Sequence, residues 1–358
     1  MKAVVIHAAK DLRVESSACE SVSAGQVRVK IEAGGICGSD LHYYHDGGFG
    51  TVRLREPMIL GHEVSGTIAE VGDGVADLAV GDRIAISPSR PCHSCDYCHR
   101  NLFNHCLNMR FYGSAMPMPH IQGAFREELI ADASQCHVIS PDVPAELAAF
   151  AEPLSVALHA LNRAGDIAGK RVLITGCGPI GALAMLAARS RGAALVFVTD
   201  VIDHVLDIAR ATGADQAINV AKHGDWVDEF RADQTSFDVM IEASGNEQAL
   251  RTGLDVLRRR SVLVQVGLGG DASLPLNLLV AKEIDLRGAF RFHPEFAEAV
   301  ALINAGTLQL KPLLSARFPL DRAEQAFEMA GDRTRAMKVQ IDFTTPHQHE
   351  ATDGTTGR

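Results

Sequence analysis

Short apolar runs separated by glycine-containing turns occupy the first 150 residues of the chain. Runs of this length, bounded by turn residues, are typical of β-strands. The predicted strands cover residues 3–8, 27–33, 63–71 and 83–86, with turns at Gly34-Gly35, Gly72-Asp73-Gly74 and Gly81-Asp82. A cysteine-rich lobe at 90–107 and a loop rich in Gly, Met and Pro at 108–123 interrupt the pattern. This part of the chain is therefore predicted to be mostly β.

From about residue 152, apolar β runs alternate with helical segments. The predicted strands are 171–175, 195–199, 216–220, 237–242 and 261–266, and the predicted helices are 179–191, 202–212 and 248–259. Strand and helix alternate about every 12 residues, which indicates right-handed βαβ units around a parallel sheet. The predicted fold class is α/β.

The pattern becomes mixed after residue 288, with helices predicted at 294–305 and 322–330 and a strand at 337–343. We expect this segment to cross back and complete the first domain. The predicted organisation is one domain formed by 1–150 plus 290–345 and a second formed by 151–289. The polar tail, 346–358, is predicted to be disordered.

Composition restricts the classes of partner. The 358 residues include 34 basic and 44 acidic side chains, giving a net charge of −10 and a pI near 5.8. This acidity argues against nucleic acid and an anionic membrane as partners. The apolar run at 180–188 is too short to span a bilayer, and residues 1–7 turn polar too soon for a signal peptide. We expect a cytoplasmic protein whose thiols stay reduced.

Four of the eight cysteines lie close together in the lobe. Cys92, Cys95, Cys98 and Cys106 have the spacing C-x2-C-x2-C-x7-C. Four thiolates on one short segment match the tetrahedral shell of a structural zinc site. The alternative is a pair of disulfides, which requires an oxidising compartment.

A dinucleotide-binding motif follows the strand predicted at 171–175. Gly176-Cys177-Gly178-Pro179-Ile180-Gly181 has the spacing G-x-G-x-x-G and opens a predicted helix, whose N-terminus would hold a pyrophosphate. Asp200 ends the next strand and is expected to bind the adenosine ribose hydroxyls. No Arg or Lys follows it before Arg210, so NAD is predicted in preference to NADP. The alternative is a glycine turn in an unrelated α/β domain.

Two later segments are expected on the nicotinamide side of the same cleft. They are 242–245 and 266–270, and the second begins with Val266 and Gly267. Each follows a predicted strand, and the carboxyl ends of parallel strands meet at the edge of the sheet where ligands bind.

Three further residues supply different types of metal ligand. Cys37 stands alone in the segment 35–42, His62 follows it 25 positions later, and Glu152 lies where the two predicted domains join. A lone cysteine is usually a core residue, and a lone histidine is more often a structural group. Together, a thiolate, an imidazole and a carboxylate suit an open catalytic zinc site.

These motifs resemble one family. Gly61-His62-Glu63, followed by Gly66, Gly72 and Val75, is similar to the zinc signature of the zinc-dependent medium-chain dehydrogenases/reductases. The cysteine lobe and the glycine motif occur where that family has them, and the resemblance covers about residues 1–343. It implies a GroES-like, mostly-β catalytic domain joined to a Rossmann doubly wound parallel sheet that binds NAD, with one structural and one catalytic Zn²⁺.

Within the family, the segments 37–43 and 152–156 resemble the polyol (sorbitol) dehydrogenase branch. The segments 34–44, 109–116 and 290–292 resemble enzymes of that branch that act on a sugar acid. The resemblance implies oxidation of a secondary alcohol in a small molecule, either a sugar acid or a neutral polyol, by a homo-oligomer (tetramer or dimer).

The resemblance also implies a ligand set. The polyol branch holds its catalytic zinc with Cys, His and a carboxylate, here Cys37, His62 and Glu152. Glu63 is expected to be an exchanging ligand or to hold a water. Asp40 resembles the carboxylate that orients the zinc-bound histidine.

Proton transfer and substrate binding are assigned in the same way. Ser39 and His42 match the relay positions of the family, with a turn hydroxyl and a surface histidine as the alternatives, and Glu63 or Glu152 is expected to act through water. The residues expected to contact substrate are Tyr43, Arg110, Phe111 and Arg291. A sugar acid needs a cation near the cleft, and Arg110 and Arg291 are the candidates. A structural salt bridge is the alternative for each.

Two functions of other classes remain as alternatives. A zinc-free enoyl or quinone reductase has the same fold, but the Cys37/His62/Glu152 set and the cysteine lobe argue against it. A non-catalytic dinucleotide-binding protein would not need both a ligand set and a relay.

Overall fold

A computed structural model describes residues 1–232 and 234–345. The strands are β1 (Lys2–Ala8), β2 (Asp11–Ser16), β3 (Gln26–Gly35), β4 (Gly48–Phe49), β5 (Val52–Arg53), β6 (Met58–Ile59), β7 (Glu63–Val71), β8 (Arg83–Ile86), β9 (Ser89–Arg90), β10 (Arg110–Phe111), β11 (Glu128–Asp132), β12 (Cys136–Val138), β13 (Arg171–Thr175), β14 (Leu195–Asp200), β15 (Gln216–Asn219), β16 (Phe237–Glu242), β17 (Leu257–Gln265), β18 (Asp285–Gly288), β19 (Leu314–Pro319) and β20 (Lys338–Asp342). The helices are α1 (Gly38–Asp46), α2 (Asp96–His99), α3 (Ala145–Ala148), α4 (Ala151–Ala164), α5 (Pro179–Ser190), α6 (Asp203–Thr212), α7 (Trp226–Glu229), α8 (Glu247–Val256), α9 (Leu276–Lys282), α10 (Glu295–Asn304) and α11 (Ala323–Gly331).

The first half of the chain builds a seven-stranded sheet that is completed by the C-terminal segment. Its order is β12-β8-β7-β3-β20-β19, and β11 also pairs with β3. β20 lies antiparallel to β3, with Gln340 opposite Gly35. Helix α11 packs into the same core through Ala323, Ala326 and Phe327. The segment 314–342 therefore crosses back to the first sheet.

The second half forms a six-stranded parallel sheet in the order β15-β14-β13-β16-β17-β18. Its central strands are buried on both faces and consist of continuous apolar runs, as expected for a parallel sheet covered by helices. The α/β fold class is confirmed. Two neighbouring boundaries were wrong: the helix predicted at 248–259 ends at Val256, and the strand predicted at 261–266 starts four residues early, because Leu257 begins β17 opposite Phe237.

Helix α4 was not predicted from the sequence. Ten of its 14 residues are buried, and the other four, at 156, 159, 162 and 163, form only a narrow exposed face that begins with a valine. Helix α10 packs against it, and both contribute to one core with the helices of the parallel sheet.

The predicted tail, 346–358, lies outside the described residues. None of the described helices is long and apolar enough to cross a membrane.

Candidate active site

Two segments of the first sheet bring a thiol, an imidazole and a carboxylate together. Strand β3 leads into Cys37, the N-cap of α1, while Glu63 begins the neighbouring strand β7 and His62 immediately precedes it. One ligand atom from each of Cys37, His62 and Glu63 lies within 4.8 Å of the others. Gly35 faces Glu63 across the strand pair, and a Cβ at this position would overlap the Glu63 carboxylate. Glycine is therefore required for the carboxylate to lie here.

A buried lysine holds Glu63. Lys338 Nζ lies 2.7 Å from Oε1 and 2.5 Å from Oε2 of Glu63, and it also donates to the carbonyl of Ile36 at 3.0 Å. Both side chains are at most 3% exposed. A buried ion pair with a further hydrogen bond fixes the position of both charges. Lys338 was missed from the sequence because it lies on β20, 275 residues from Glu63.

Asp40 connects the two ligand segments. Its Oδ2 accepts from the backbone N–H of Cys37 at 3.0 Å, and its Oδ1 accepts from Gly61 N–H at 3.3 Å. The same Oδ1 lies 3.8 Å from Nδ1 of His62. Burial raises the pKa of Asp40, and His62 opposes that shift. The carboxylate predicted to orient the histidine thus lies beside it.

Glu152 lies in the first turn of α4 and is 5% exposed. Burial raises its pKa to about 8, while His62 lowers it and Glu63 and Cys37 raise it. Glu152 therefore shares the electrostatic surroundings of the other three residues, although it is not part of the 4.8 Å group.

The donor set fits a divalent metal ion. Cys37, Asp40, Glu63 and Glu152 bring four acidic groups close to one ammonium, that of Lys338. Desolvation raises the pKa of the Cys37 thiol to about 11, and Nδ1 of His62 is buried without a hydrogen-bond partner. A cation would compensate the acidic groups, and thiolate, imidazole and carboxylate are ligands that zinc accepts.

The predicted relay residues lie on α1, beside Cys37. Ser39 forms a hydrogen bond that lowers the pKa of Cys37 against the larger effect of desolvation. His42 is half exposed, with Nδ1 3.5 Å from Asp46 Oδ2. The helix thus carries one hydroxyl at the ligand group and one imidazole at the surface.

The predicted substrate residues divide into two places. The Phe111 ring lies 5.6 Å from that of His62, and the Arg291 guanidinium lies 4.5 Å above Phe111. Burial lowers the pKa of Arg291, whereas Glu152 and Tyr43 raise it. Tyr43 lies near enough to Arg291 to affect its charge, and its hydroxyl accepts a hydrogen bond from Ala115 N–H at 3.0 Å. Arg110 instead lines a cavity of about 680 Å³ beside Cys92 and Asn108, because neighbouring residues of a strand face opposite ways.

The backbone at Arg291 is unusual. Its φ is +53°, a left-handed conformation that is rare for a long side chain. Such strain persists only where the surroundings impose it. Asn104 Nδ2 donates to the carbonyl of Phe290 at 3.0 Å, and the rings of His105 and Phe290 stack 5.9 Å apart. The cysteine lobe therefore holds the segment that carries Arg291.

The cysteine lobe itself forms a second candidate metal site. Sγ atoms of Cys92, Cys95, Cys98 and Cys106 all lie within 4.8 Å of one another. Cys92 N–H donates to Cys106 Sγ at 3.2 Å. Four free thiols at this separation fit the closed shell of a structural zinc.

The glycine motif forms the turn between β13 and α5. Gly176 has φ +85°, and a Cβ there would lie 2.7 Å from the backbone nitrogen of Ser244. Gly178 is the N-cap of α5, with Pro179 and Ile180 in its first turn, and Gly181 packs against the carbonyl of Gly176. This places free N–H groups at a helix start, which suits a pyrophosphate. Val266 and Gly267, which follow β17, both donate their backbone N–H groups to the carbonyl of Glu242 at the end of β16.

Comparisons with known proteins agree with this geometry. Residues 23–141 match the alcohol dehydrogenase GroES-like domain, and residues 179–305 match the zinc-binding dehydrogenase family. An L-idonate 5-dehydrogenase (NAD(P)(+)) of Escherichia coli is 44% identical over 88% of this chain and 91% of its own.

The chain belongs to the zinc-binding dehydrogenase family.

Two further similarities extend over nearly the whole dehydrogenase. A sorbitol dehydrogenase of Bombyx mori is 34% identical over 95% of this chain and 97% of its own. The crystal structure of L-idonate 5-dehydrogenase from Escherichia coli superposes with a TM-score of 0.91 at 42% identity, covering 95% of this chain and 97% of that one. The predicted fold, family and enzyme class are confirmed.

The structure of this zinc-binding dehydrogenase adds a cation beside Asp200, the residue predicted to bind the ribose hydroxyls. Arg333 Nη2 lies 2.8 Å from Asp200 Oδ2, and both residues line a cavity of about 530 Å³. The sequence near Asp200 does not reveal this pair, because Arg333 lies 133 residues further along the chain.

Proposed function

We propose that this dehydrogenase oxidises a secondary alcohol of a sugar acid, converting L-idonate to 5-keto-D-gluconate, with hydride transfer to NAD. The carbon loses a hydride to the nicotinamide and the hydroxyl loses a proton, leaving the ketone. The observation that carries the proposal is the Arg291 guanidinium above Phe111, whose ring contacts His62. Similarity to L-idonate 5-dehydrogenases of Escherichia coli and Vitis vinifera supports the same substrate.

Cys37, His62 and Glu152 would hold the catalytic metal, with Glu63 as the exchanging ligand. Zinc bound there would supply a Lewis acid that lowers the pKa of the substrate hydroxyl. Lys338 pairs with Glu63 and limits where its carboxylate can move. The hydroxyl proton would leave through Ser39 and His42, since α1 carries one beside Cys37 and the other at the surface.

Arg291 would bind the substrate carboxylate. A guanidinium offers paired N–H donors to a carboxylate and is weakly hydrated, so it suits a partly enclosed site. The Arg291→Ala variant is expected to raise KM for L-idonate by about 10-fold or more, the value of one charge-assisted contact, and to change KM for sorbitol little. Steady-state kinetics on both substrates measures the difference. Equal changes in the two KM values would remove the carboxylate role.

An NAD⁺ reduction screen tests the substrate class. L-idonate, D-gluconate, sorbitol, xylitol and simple alcohols are compared at equal concentration, with NADP⁺ in parallel. L-idonate is expected to give the highest kcat/KM. A higher kcat/KM for sorbitol or xylitol would instead support the second candidate, a neutral polyol dehydrogenase. That candidate is favoured by sorbitol dehydrogenases that are 34–35% identical over most of their length.

The enzyme would act as a homo-oligomer in the cytoplasm. Strand β18 is an edge of the parallel sheet and exposes Leu286, and Leu276 and Val280 are exposed on α9, the helix that precedes this strand. Exposed apolar side chains beside an open strand edge favour pairing with a second copy. Light scattering of the purified chain is expected to give a dimer or tetramer, and a monomer with full activity would contradict this.

A further inference from the structure

Asp200 already uses its acceptor positions within the protein. Oδ1 accepts from the N–H groups of Val201 at 2.7 Å and Ile202 at 3.1 Å. Oδ2 accepts from Cys177 N–H at 2.7 Å and from Arg333 Nη2 at 2.8 Å. An ionised carboxylate offers about four lone-pair sites, so an incoming ribose hydroxyl must replace one of these donors.

Arg333 is the donor that can be exchanged. The other three donors are backbone N–H groups of the βα turns, whereas the Arg333 side chain is 48% exposed. Arg333 lies in the segment between α11 and β20. Strand β20 belongs to the first sheet, so Arg333 reaches Asp200 from outside the parallel-sheet unit. Among the described residues that line the 530 Å³ cavity, it is the only Arg or Lys.

The pair changes the charge that a dinucleotide meets. An unpaired Asp200 would repel a 2′-phosphate at the ribose, and this repulsion is the physical basis for choosing NAD. Arg333 neutralises that carboxylate and offers further N–H donors at the same place. Arginine pairs well with phosphate because its fork of donors matches the phosphate oxygens.

We propose that Arg333 is a cofactor-selectivity residue, which leaves Asp200 to bind the ribose hydroxyls of NAD and turns to bind the 2′-phosphate of NADP. The dehydrogenase would thus accept both cofactors. This inference rests on the proposed function only in that a dinucleotide must bind.

Binding measurements test the role of Arg333 without the reaction. The chain has a single tryptophan, Trp226, which lines the same cavity, so quenching of its emission reports ligand at the adenosine end. NADH, NADPH, 5′-AMP and 2′-AMP are titrated into the full chain and into Arg333→Ala, Arg333→Lys and Arg335→Ala. Arg335 is an exposed arginine of the same segment outside the cavity lining, so Arg335→Ala is the matched control.

We expect Arg333→Ala to weaken NADPH and 2′-AMP about tenfold or more, the value of a charge-assisted hydrogen bond, while NADH and 5′-AMP bind equally or more tightly. Arg333→Lys should restore part of the loss, and Arg335→Ala should change nothing. Equal weakening of NADH and NADPH would overturn the proposal, because it would place Arg333 on the pyrophosphate beside Gly178. Wild-type binding of NADH without NADPH would also overturn it. Absence of binding by either dinucleotide would instead contradict the proposed function.

Discussion

At the scale of single residues, the Glu63 carboxylate can occupy its position only because Gly35 has no side chain. The Gly35→Ala variant would push Glu63 away from Cys37 and His62 and disturb its contact with Lys338. Changes to groups that orient metal ligands typically cost about 10–100-fold in metal affinity or activity. We expect the variant to lose one zinc per chain and most of its activity.

Gly38→Ala is the matched control, since Gly38 begins α1 only three residues after Gly35 and a Cβ there meets open space. Metal analysis of the two purified variants makes the comparison. Full zinc content in Gly35→Ala would show that Glu63 does not need this position.

The sequence indicated which residue types form the site but not all of their partners. Cys37, His62 and Glu63 lie in short motifs whose spacing is readable. Lys338 and Arg333 act across 275 and 133 residues, respectively, and no local pattern marks them. The pairing of β20 with β3 brings Lys338 to Glu63, and the contact between the two sheet-containing units brings Arg333 to Asp200. Both are properties of the fold and not of the local sequence.

At the scale of elements, the cysteine lobe does more than hold its own shape. Through the contact between Asn104 and the Phe290 carbonyl it supports the backbone that carries Arg291. The Asn104→Ala variant is expected to raise KM for the sugar acid by about 2–10-fold, the value of one neutral hydrogen bond, without changing zinc content.

His99→Ala changes an exposed residue of the same lobe and is the control for this experiment. Kinetics with L-idonate and metal analysis are measured for both variants. An unchanged KM in Asn104→Ala would show that the lobe does not position Arg291.

Helices α10 and α4 are joined by a buried carboxylate. Glu295 Oε1 lies 2.9 Å from His159 Nδ1 and 3.0 Å from Asn162 Nδ2. Although burial raises its pKa, hydrogen bonds from these two residues and from His293 N–H lower it to about 2. Because the folded pKa lies below the ordinary value of 4.5, the carboxylate stabilises the fold fully above about pH 4.5.

The Glu295→Gln variant is therefore expected to lose about 1–3 kcal/mol of unfolding free energy at pH 7. The difference from wild type should stay constant down to about pH 4.5 and shrink as pH falls toward about 2. Urea unfolding at a series of pH values measures it. A difference that grows on acidification would have the wrong sign for this carboxylate.

Element prediction succeeded where the apolar period was clear. The alternation of strands and helices after residue 170 matched the parallel sheet because its strands are continuous apolar runs between turn residues. It failed at α4, which is buried on most sides, and at Leu257, where helix α8 passes into β17 without a turn residue.

At the scale of the whole molecule, two groups of ligands lie in separate places, the cysteine lobe and the junction of the two units. Metal analysis of the purified chain is expected to give about two zinc per chain. Chelation should first remove the metal of the open catalytic group, because a closed shell of four thiolates exchanges more slowly. Absence of zinc would contradict the assignment of both sites.

Helix α4 affects how this enzyme could be recombined with its relatives. Its first turn carries Glu152 near Cys37, His62 and Glu63, yet its apolar side chains pack in the core of the parallel-sheet unit. The two family matches, 23–141 and 179–305, leave it between them. A chimaera joined before α4 takes its carboxylate from the other parent, while one joined after Gly165 packs α4 against a foreign core. No junction between the domains therefore keeps both Glu152 with its own ligand group and the apolar side chains of α4 with their own core.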